Sequence, residues 1–179
     1  MMDFDEIDQR LIPSLSDEQV RLLAYLYVVA GMLSIFGSFV IVHRVLRNRE
    51  HANSYDRIML GLSCSDIIAS LSYIFTPFLV PRDTSTRVTA MGNDVSCSVL
   101  GWLTQVGFAA IMYNAILSFY MLAIVRFSVT PGDFAARFEP YLHALTVFYF
   151  LATATIGVPF NLFTEMRFSM GCWLAAYPK

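Results

Sequence analysis

A single acidic residue, Asp66, stands in an otherwise apolar or small-residue run, GLSCSDIIASLSYIF, which extends from Gly61 to Phe75. If this run lies in lipid, an aspartate near its middle costs about 3 kcal/mol on insertion scales. A carboxylate in that setting faces other helices or water, where it can bind a cation or a proton or act as a switch. The alternative is a protonated aspartate that only holds a packing network together.

Three other polar residues of this run are spaced to share a helix face with Asp66. Ser63 lies three positions before it, Ser70 four positions after it and Tyr73 seven positions after it. Residues three, four and seven positions apart lie on one face of an α-helix. We therefore predict a polar stripe on this helix, facing the interior of a helical bundle.

A later apolar run carries a second set of polar side chains. Asn114 and Ser118 are four positions apart and share a helix face, and we predict that they form an ion or switch site with Asp66. Gln105 lies nearer the opposite end of this run, where it serves either as a packing contact or, with Tyr73, as a ligand contact. Hydrogen bonds of this kind between membrane helices contribute about 0.6 kcal/mol each.

The first apolar run contains a stripe of small residues. Ala30, Ser34 and Ser38 recur at intervals of four positions. Small residues at this spacing let two membrane helices approach closely. We expect this stripe to serve close helix packing alone.

The distribution of charge predicts the class of fold. Hydrophobic residues make up 56% of the 179 residues and charged residues 15%, against about 25% charged residues in soluble domains. Apart from Asp66, no Asp, Glu, Lys or Arg occurs in four runs: Leu22–Val42, Ile58–Val80, Val99–Val125 and Tyr141–Phe163. A helix of about 20 such residues crosses the hydrocarbon core of a membrane. We predict an all-α membrane protein with four transmembrane helices, at about 22–43, 57–80, 98–127 and 140–163, in a helical domain at 16–179 that follows a disordered extracellular tail at 1–15.

Local signals mark where these helices begin and end. Helix starts are predicted from capping residues and from a proline at a first helical position: Ser16 with Gln19, Asn53, Asn93 or Asp94, and Pro140. Pro77 and Pro81 mark the end of the second helix, and Pro159 is expected to bend or end the fourth. The segment TPGD at 130–133 predicts a turn.

The basic residues favour an extracellular N-terminus. Cytoplasmic flanks of membrane helices carry an excess of Lys and Arg, but here the two sides hold six each. The first helix usually dominates orientation, and two arginines precede it while four follow it: Arg10 and Arg21, then Arg44, Arg47, Arg49 and Arg57. We therefore predict a multi-pass protein of the plasma membrane with its N-terminus outside.

Two of the three cysteines fall on one predicted side of the membrane. Cys64 lies inside the second run and is expected to be a packing residue, whereas Cys97 precedes the third helix and Cys172 follows the fourth. With four crossings, both of these cysteines lie on the N-terminal side of the membrane. If that side is extracellular, the two thiols can oxidise to a disulfide. A disulfide is the favoured interpretation, and two unrelated free thiols are the alternative.

The sequence favours neither an enzyme nor a nucleic-acid-binding protein. Its net charge is −2, and the basic residues are scattered. No glycine-rich phosphate loop, zinc-ligand spacing or paired nucleophile and base is apparent. We expect no cofactor, no metal centre and no nucleic acid, and the lipid bilayer as the first partner.

Several segments together resemble the seven-transmembrane G-protein-coupled receptors. GSFVIVHRVLRNRE in the first helix is similar to the receptors' G-N-x segment, with Ser38 in place of asparagine. YDRIMLGLSCSDIIA is similar to the second-helix segment, in which L-x-x-x-D places an aspartate in a sodium pocket, here Asp66. Cys97 and Cys172, the latter within GCW, resemble the family's extracellular disulfide. MLAIVRFSV resembles the end of the third helix, with Arg126 at the arginine of D-R-Y.

The sequence also departs from the receptors' pattern. Val125 replaces the acid before the arginine, and Phe127 replaces the tyrosine after it. Cys97 lies 29 residues before Arg126, about one helical turn more than in rhodopsin-like receptors, and the fourth helix lacks its usual tryptophan. The resemblance is therefore to divergent receptors, of the rhodopsin-like or slime-mould cyclic-AMP type found in microbial eukaryotes, and covers four of their seven helices.

The resemblance implies a signalling function. An extracellular ligand would bind at the outer end, and a heterotrimeric G protein would contact Arg126 at the inner end; the simpler alternative is that Arg126 anchors the helix in lipid headgroups. A four-span transporter or channel subunit that uses Asp66, and a non-signalling scaffold, are the other hypotheses. Because the receptors' G-protein cleft needs later helices, we expect these four spans to need complementary ones for signalling.

Overall fold

The computed structural model describes residues 16–81, 90–165 and 171–174, and the predicted tail at 1–15 lies outside them. It consists of long helices followed by a small β-hairpin. The helices are α1 (Asp17–Arg47), α2 (Ser54–Leu79), α3 (Asp94–Gly107), α4 (Ala109–Phe127), α5 (Pro131–Arg137) and α6 (Glu139–Gly157), with a 3₁₀ turn at Arg49–His51. The strands β1 (Phe163–Glu165) and β2 (Cys172–Leu174) pair antiparallel.

The predicted capping residues begin the helices. Ser16 accepts a hydrogen bond from the Gln19 backbone N–H, and the Gln19 side chain accepts one from the Ser16 backbone N–H. Asn53 caps α2 and Asn93 caps α3 with the same reciprocal arrangement. Each such box satisfies donors that the first helical turn leaves without partners.

Three helices are long and apolar enough to cross a membrane. They are Glu18–Arg47, Ser54–Leu79 and Asp94–Phe127, with mean hydropathies of 2.1, 1.7 and 1.9 over their most apolar windows. In the most apolar part of Glu18–Arg47, only 11% of the residues are buried, so most of the apolar side chains of α1 face outwards. The prediction of a mainly helical protein is confirmed, and three of the four predicted spans are helices of membrane-spanning length and apolarity. The fourth, α6, does not reach the same hydropathy among the described residues.

The third predicted helix is broken once. A single stretch from Asp94 to Phe127 divides at Phe108 into α3 and α4. Directly before the break, Gly107 lies against α2 so closely that a Cβ atom there would be 2.7 Å from the Cα of Ala69. The missing side chain of Gly107 therefore sets how close α2 and α3 can pack.

The chain beyond Arg126 differs from the sequence expectations in three places. The expected turn at 130–133 is the start of α5, because Thr130 caps the Asp133 N–H and Pro131 suits a first helical position. Helix α6 ends at Gly157 and does not extend to 163, in keeping with the proline at 159. The hairpin of β1 and β2 was not predicted, since three-residue strands carry almost no periodic signal.

Two clusters of buried side chains hold the bundle together. The larger joins α2, α4 and α5 and contains Ile58, Ala109, Tyr113, Ile116, Tyr120, Ala123 and Phe134. The smaller lies around the hairpin and contains Val80, Cys97, Leu100 and Cys172. The disulfide and its surroundings thus form one end of the molecule, and the aromatic cluster lies towards the other.

Substitution of Gly107 by alanine tests the close contact of α2 and α3. Because the nearest atoms are Ala69 backbone atoms, they cannot move aside cheaply, and overpacking of this kind costs about 1–3 kcal/mol. We expect Gly107→Ala to lower the unfolding temperature in lipid nanodiscs. Gly37→Ala is the matched control, since a Cβ there meets nothing within 4 Å. Equal stability of the two variants would contradict the contact.

Candidate functional site

The interior carboxylate of Asp66 is held by two serines of α1. Ser34 and Ser38 each donate a hydroxyl hydrogen bond to its Oδ2 atom at 2.6 Å. Distances of 2.5–2.7 Å are typical of O–H donors to an ionised carboxylate. The serine stripe of α1 therefore does more than the close packing expected of it, because it supplies the donors that let a carboxylate lie between two apolar helices.

The other members of the predicted α2 stripe have separate positions. Ser63 and Ser70 are buried at 2% and 3% exposure. Tyr73 is exposed, and its ring stacks on Tyr27 of α1 with centroids 6.1 Å apart. The stripe thus combines buried hydroxyl groups with an aromatic contact at the α1 surface. A ligand contact by Tyr73 stays a prediction.

Asn114 and Ser118 lie on an exposed face of α4. The Asn114 side-chain amide donates to the Ala110 carbonyl at 3.0 Å, and the Ser118 hydroxyl donates to the Asn114 carbonyl at 2.9 Å. Neither side chain hydrogen-bonds to Asp66. The structure therefore does not join the three predicted site residues in one hydrogen-bonded group, and their shared ion or switch role stays a prediction.

The predicted disulfide is confirmed. Cys97 at the start of α3 and Cys172 in β2 are bonded, with their Cα atoms 5.4 Å apart, and both are buried at 2% exposure. Beside it opens a cavity of about 230 Å³, whose lining includes Pro81, Ser98 and Phe163. A covalent link between α3 and the hairpin thus borders an open space at this end of the molecule.

Gln105 connects three elements near the same end. Its amide Nε2 donates to the Thr153 hydroxyl of α6 at 3.0 Å, and its Oε1 accepts from the indole N–H of Trp173 in β2 at 2.8 Å. Gln105 is buried at 6% exposure, where an unpaired amide costs about 1–3 kcal/mol. These contacts make it a structural connection, and its predicted role in binding a ligand stays untested.

Arg126 lies at the opposite end, in the last turn of α4. Its side chain is exposed, and its guanidinium lies 5.9 Å from the centroid of the Phe127 ring. Within the described part of the chain it forms no ion pair. Arg126 is therefore free to meet either lipid headgroups or a protein partner, as the two sequence hypotheses require.

The structure adds an ion pair that the sequence analysis did not predict. Arg57 of α2 donates through Nε to Oε1 of Glu139 and through Nη2 to Oε2 at 2.9 Å, so the pair is bidentate. Glu139, the first residue of α6, is buried at 6% exposure. Arg57 also donates to the Ala52 carbonyl at 2.7 Å. This pair fastens α6 to α2 at the end of the bundle opposite the disulfide.

Two further side chains extend the ion pair towards α4. The Nε2 atom of His143 lies 3.8 Å from Oε1 of Glu139, and its Nδ1 atom lies 3.0 Å from the hydroxyl of Tyr113.

A signal for the ion pair was present in the sequence. Arg57 directly precedes the apolar run Ile58–Val80, and Glu139 lies two positions before the run Tyr141–Phe163. The N-terminal ends of two helices therefore carry opposite charges.

Comparisons with known proteins do not assign this chain to a class of protein, so its class is described from its own structural features. No family model matches the chain, and no curated protein or solved structure is significantly similar to it. The described residues define a helical protein with three helices of membrane-spanning length and apolarity, one disulfide and a carboxylate hydrogen-bonded between α1 and α2.

Removal of one serine donor tests the Asp66 contact. A hydrogen bond to a charged group contributes about 1.5–3 kcal/mol, so we expect Ser34→Ala to lower the unfolding free energy by that order. Ser118→Ala is the matched control, because that serine is exposed and bonds only within its own helix. The loss should shrink when Ser34→Ala is combined with Asp66→Asn, and additive losses would contradict a direct interaction.

The disulfide is tested with protein taken from the cell surface without reduction. After alkylation and proteolysis, we expect mass spectrometry to find Cys97 and Cys172 peptides joined, and Cys64, the free and exposed thiol, alkylated. Recovery of Cys97 and Cys172 as alkylated thiols in the same sample would refute the bond in the native protein.

Proposed function

We propose that this chain is a transmembrane signalling protein of the G-protein-coupled-receptor type, which senses an extracellular ligand and couples to a cytoplasmic partner. The observation that carries the proposal is Asp66, a carboxylate hydrogen-bonded by Ser34 and Ser38 between two apolar helices of spanning length. Maintaining an aspartate in such a place is costly, and residues of this kind mark functional sites in membrane proteins.

The outward-facing apolar side chains support insertion into a bilayer. Tyr25, Phe36 and Val125 are 72%, 70% and 81% exposed, and many other large hydrophobic residues of the helices share this exposure. A surface of this kind suits lipid and is unfavourable in water. The proposal therefore places α1, α2, the α3–α4 stretch and α6 across the plasma membrane, with the N-terminus outside.

The two ends of the bundle would have different tasks. The disulfide Cys97–Cys172 and the cavity beside it would lie outside, where Gln105 and Tyr73 are near enough to the outer end to take part in ligand binding. Arg126, exposed at the end of α4, would lie inside and form part of the contact with a heterotrimeric G protein.

A transporter or channel subunit is the second candidate. Both serine donors bond to Oδ2 of Asp66, and within the described residues no hydrogen bond reaches Oδ1. That oxygen is available to a proton or a cation, which is what an ion-carrying role requires. A membrane scaffold is the third candidate, and it requires only the packing role of Asp66.

Asp66→Asn separates the three candidates, because it removes the charge and keeps the side-chain size. Two measurements are made on the wild type, on Asp66→Asn and on the control Thr104→Ala, whose hydroxyl bonds only within α3. They are nucleotide exchange by a panel of G proteins, in cells that also express a three-span segment supplying later helices, and sodium and proton flux in liposomes. A receptor predicts exchange whose sodium dependence changes in Asp66→Asn, without flux. A transporter predicts flux that Asp66→Asn abolishes, and a scaffold predicts neither.

The topology is tested by glycosylation mapping. An N-glycan acceptor introduced into the tail at 1–15 should be glycosylated in microsomes, whereas one introduced at 130–133 should not, because the proposal places these segments on opposite sides. Modification of the second site alone would show that the orientation is the reverse of the proposed one. Modification of both sites would show that the chain crosses the membrane one time fewer between them than proposed.

A further inference from the structure

The polar chain at the end opposite the disulfide has one member whose protonation can change. Arg57 and Glu139 form a bidentate ion pair, in which the two charges balance. His143 follows Glu139 on α6 by one helical turn and lies between that carboxylate and the Tyr113 hydroxyl of α4. Histidine is the side chain whose ordinary titration falls between pH 5 and 8.

The surroundings favour one neutral form of the His143 ring. Its Nε2 atom faces the negative Oε1 of Glu139 at 3.8 Å, which favours a hydrogen on Nε2. The Nδ1 atom then carries a lone pair and accepts the hydrogen bond from the Tyr113 hydroxyl at 3.0 Å. A proton can therefore be added only at Nδ1, the atom that bonds α6 to α4.

Addition of that proton reverses a hydrogen bond between helices. Once Nδ1 carries a hydrogen, it donates to the Tyr113 oxygen, and the Tyr113 O–H must turn away and lose its acceptor. The Tyr113 ring already lies against Gly61 of α2, where a Cβ atom would be only 2.5 Å from the ring. The ring therefore cannot withdraw towards α2. The hydroxyl hydrogen is left at the edge of an apolar cavity of about 220 Å³, which is lined by residues of α2, α3, α4 and α6 that include Cys64.

The charged neighbours favour a response at Glu139. An imidazolium at His143 becomes a second cation beside a carboxylate that already accepts two hydrogen bonds from Arg57. The other titratable groups nearby are Cys64 on α2, Tyr113 on α4 and Asp56 beside Arg57. On α5, Asp133 and Arg137 are exposed, and neither pairs with Glu139 or His143. Glu139 is thus the group that attracts the new charge, and it draws the His143 ring away from Tyr113 or weakens its own hold on Arg57.

We propose that His143 is a proton-binding site that sets how α6 is joined to α2 and α4. With His143 neutral, α6 is bound to α2 by the ion pair and to α4 by the Tyr113 hydrogen bond. With a proton on Nδ1, His143 shares Glu139 with Arg57, and the Tyr113 bond is reversed. This site stands apart from the proposed receptor function, because it requires only the contacts described here.

The test is ¹⁵N nuclear magnetic resonance of histidine-labelled full-length chain in lipid nanodiscs between pH 5 and 8. The other two histidines, His43 and His51, are exposed and act as internal references. We expect them to show mixed tautomers at high pH, while His143 shows one tautomer, with hydrogen on Nε2 and a bare Nδ1. Acidification should then change the Nδ1 resonance of His143 from that of an acceptor to that of a donor.

Two variants separate the proposal from a merely structural histidine. Glu139→Gln removes the attracting carboxylate, so proton binding by His143 should move to lower pH by at least tenfold in proton concentration. Tyr113→Phe deletes one hydroxyl and should shift the Nδ1 resonance of neutral His143, while the resonances of His43 and His51 stay unchanged. This variant also tests the proposal by itself if Glu139→Gln does not fold. A His143 ring that holds its neutral hydrogen on Nδ1, that does not titrate in this range, or that ignores both variants would overturn the proposal.

Discussion

The arrangement of this protein depends on one constraint: a polar group placed among apolar helices must find a hydrogen-bond partner. An unpartnered polar group costs several kcal/mol in lipid and about 1–3 kcal/mol in a protein interior. Asp66 meets the constraint through Ser34 and Ser38 on α1, and Gln105 meets it through the Thr153 hydroxyl and the Trp173 indole. Asp66 and Gln105 therefore determine which elements must be adjacent.

The partnerships divide the molecule into two ends with different chemistry. At one end, a disulfide, a short hairpin and an amide bridge join α3, α6 and the strands, and these connections are covalent or neutral. At the other end, Arg57 and Glu139 join α2 to α6 by charge. Neutral and covalent links do not change with pH, whereas the charged end contains a histidine. Of the links described at the two ends, the Arg57–Glu139 pair is the one with a histidine beside it, so it is the one that a proton on that histidine can alter.

Proximity along a helix was a good guide to the helices but did not show which polar residues are hydrogen-bonded to one another. The reciprocal caps at Ser16 and Asn53 follow from residues three positions apart, and the structure has both. The site prediction grouped Asp66 with Asn114 and Ser118 because all three are polar residues in apolar runs. Those two residues are satisfied within α4 by carbonyls one turn earlier, which local geometry always offers to a serine or asparagine.

The sequence by itself predicted the mainly helical fold, the starts of α1, α2 and α3, and the disulfide between Cys97 and Cys172, because these depend on local hydrogen bonds, apolar runs and the side of the bundle on which each segment falls. Only the tertiary structure decided that the α1 serines bind Asp66 and that Arg57 binds Glu139. Those contacts join residues 28 to 82 positions apart. Helix rotation and separation set them, down to the close approach at Gly107, and neither quantity is encoded in any single run of residues.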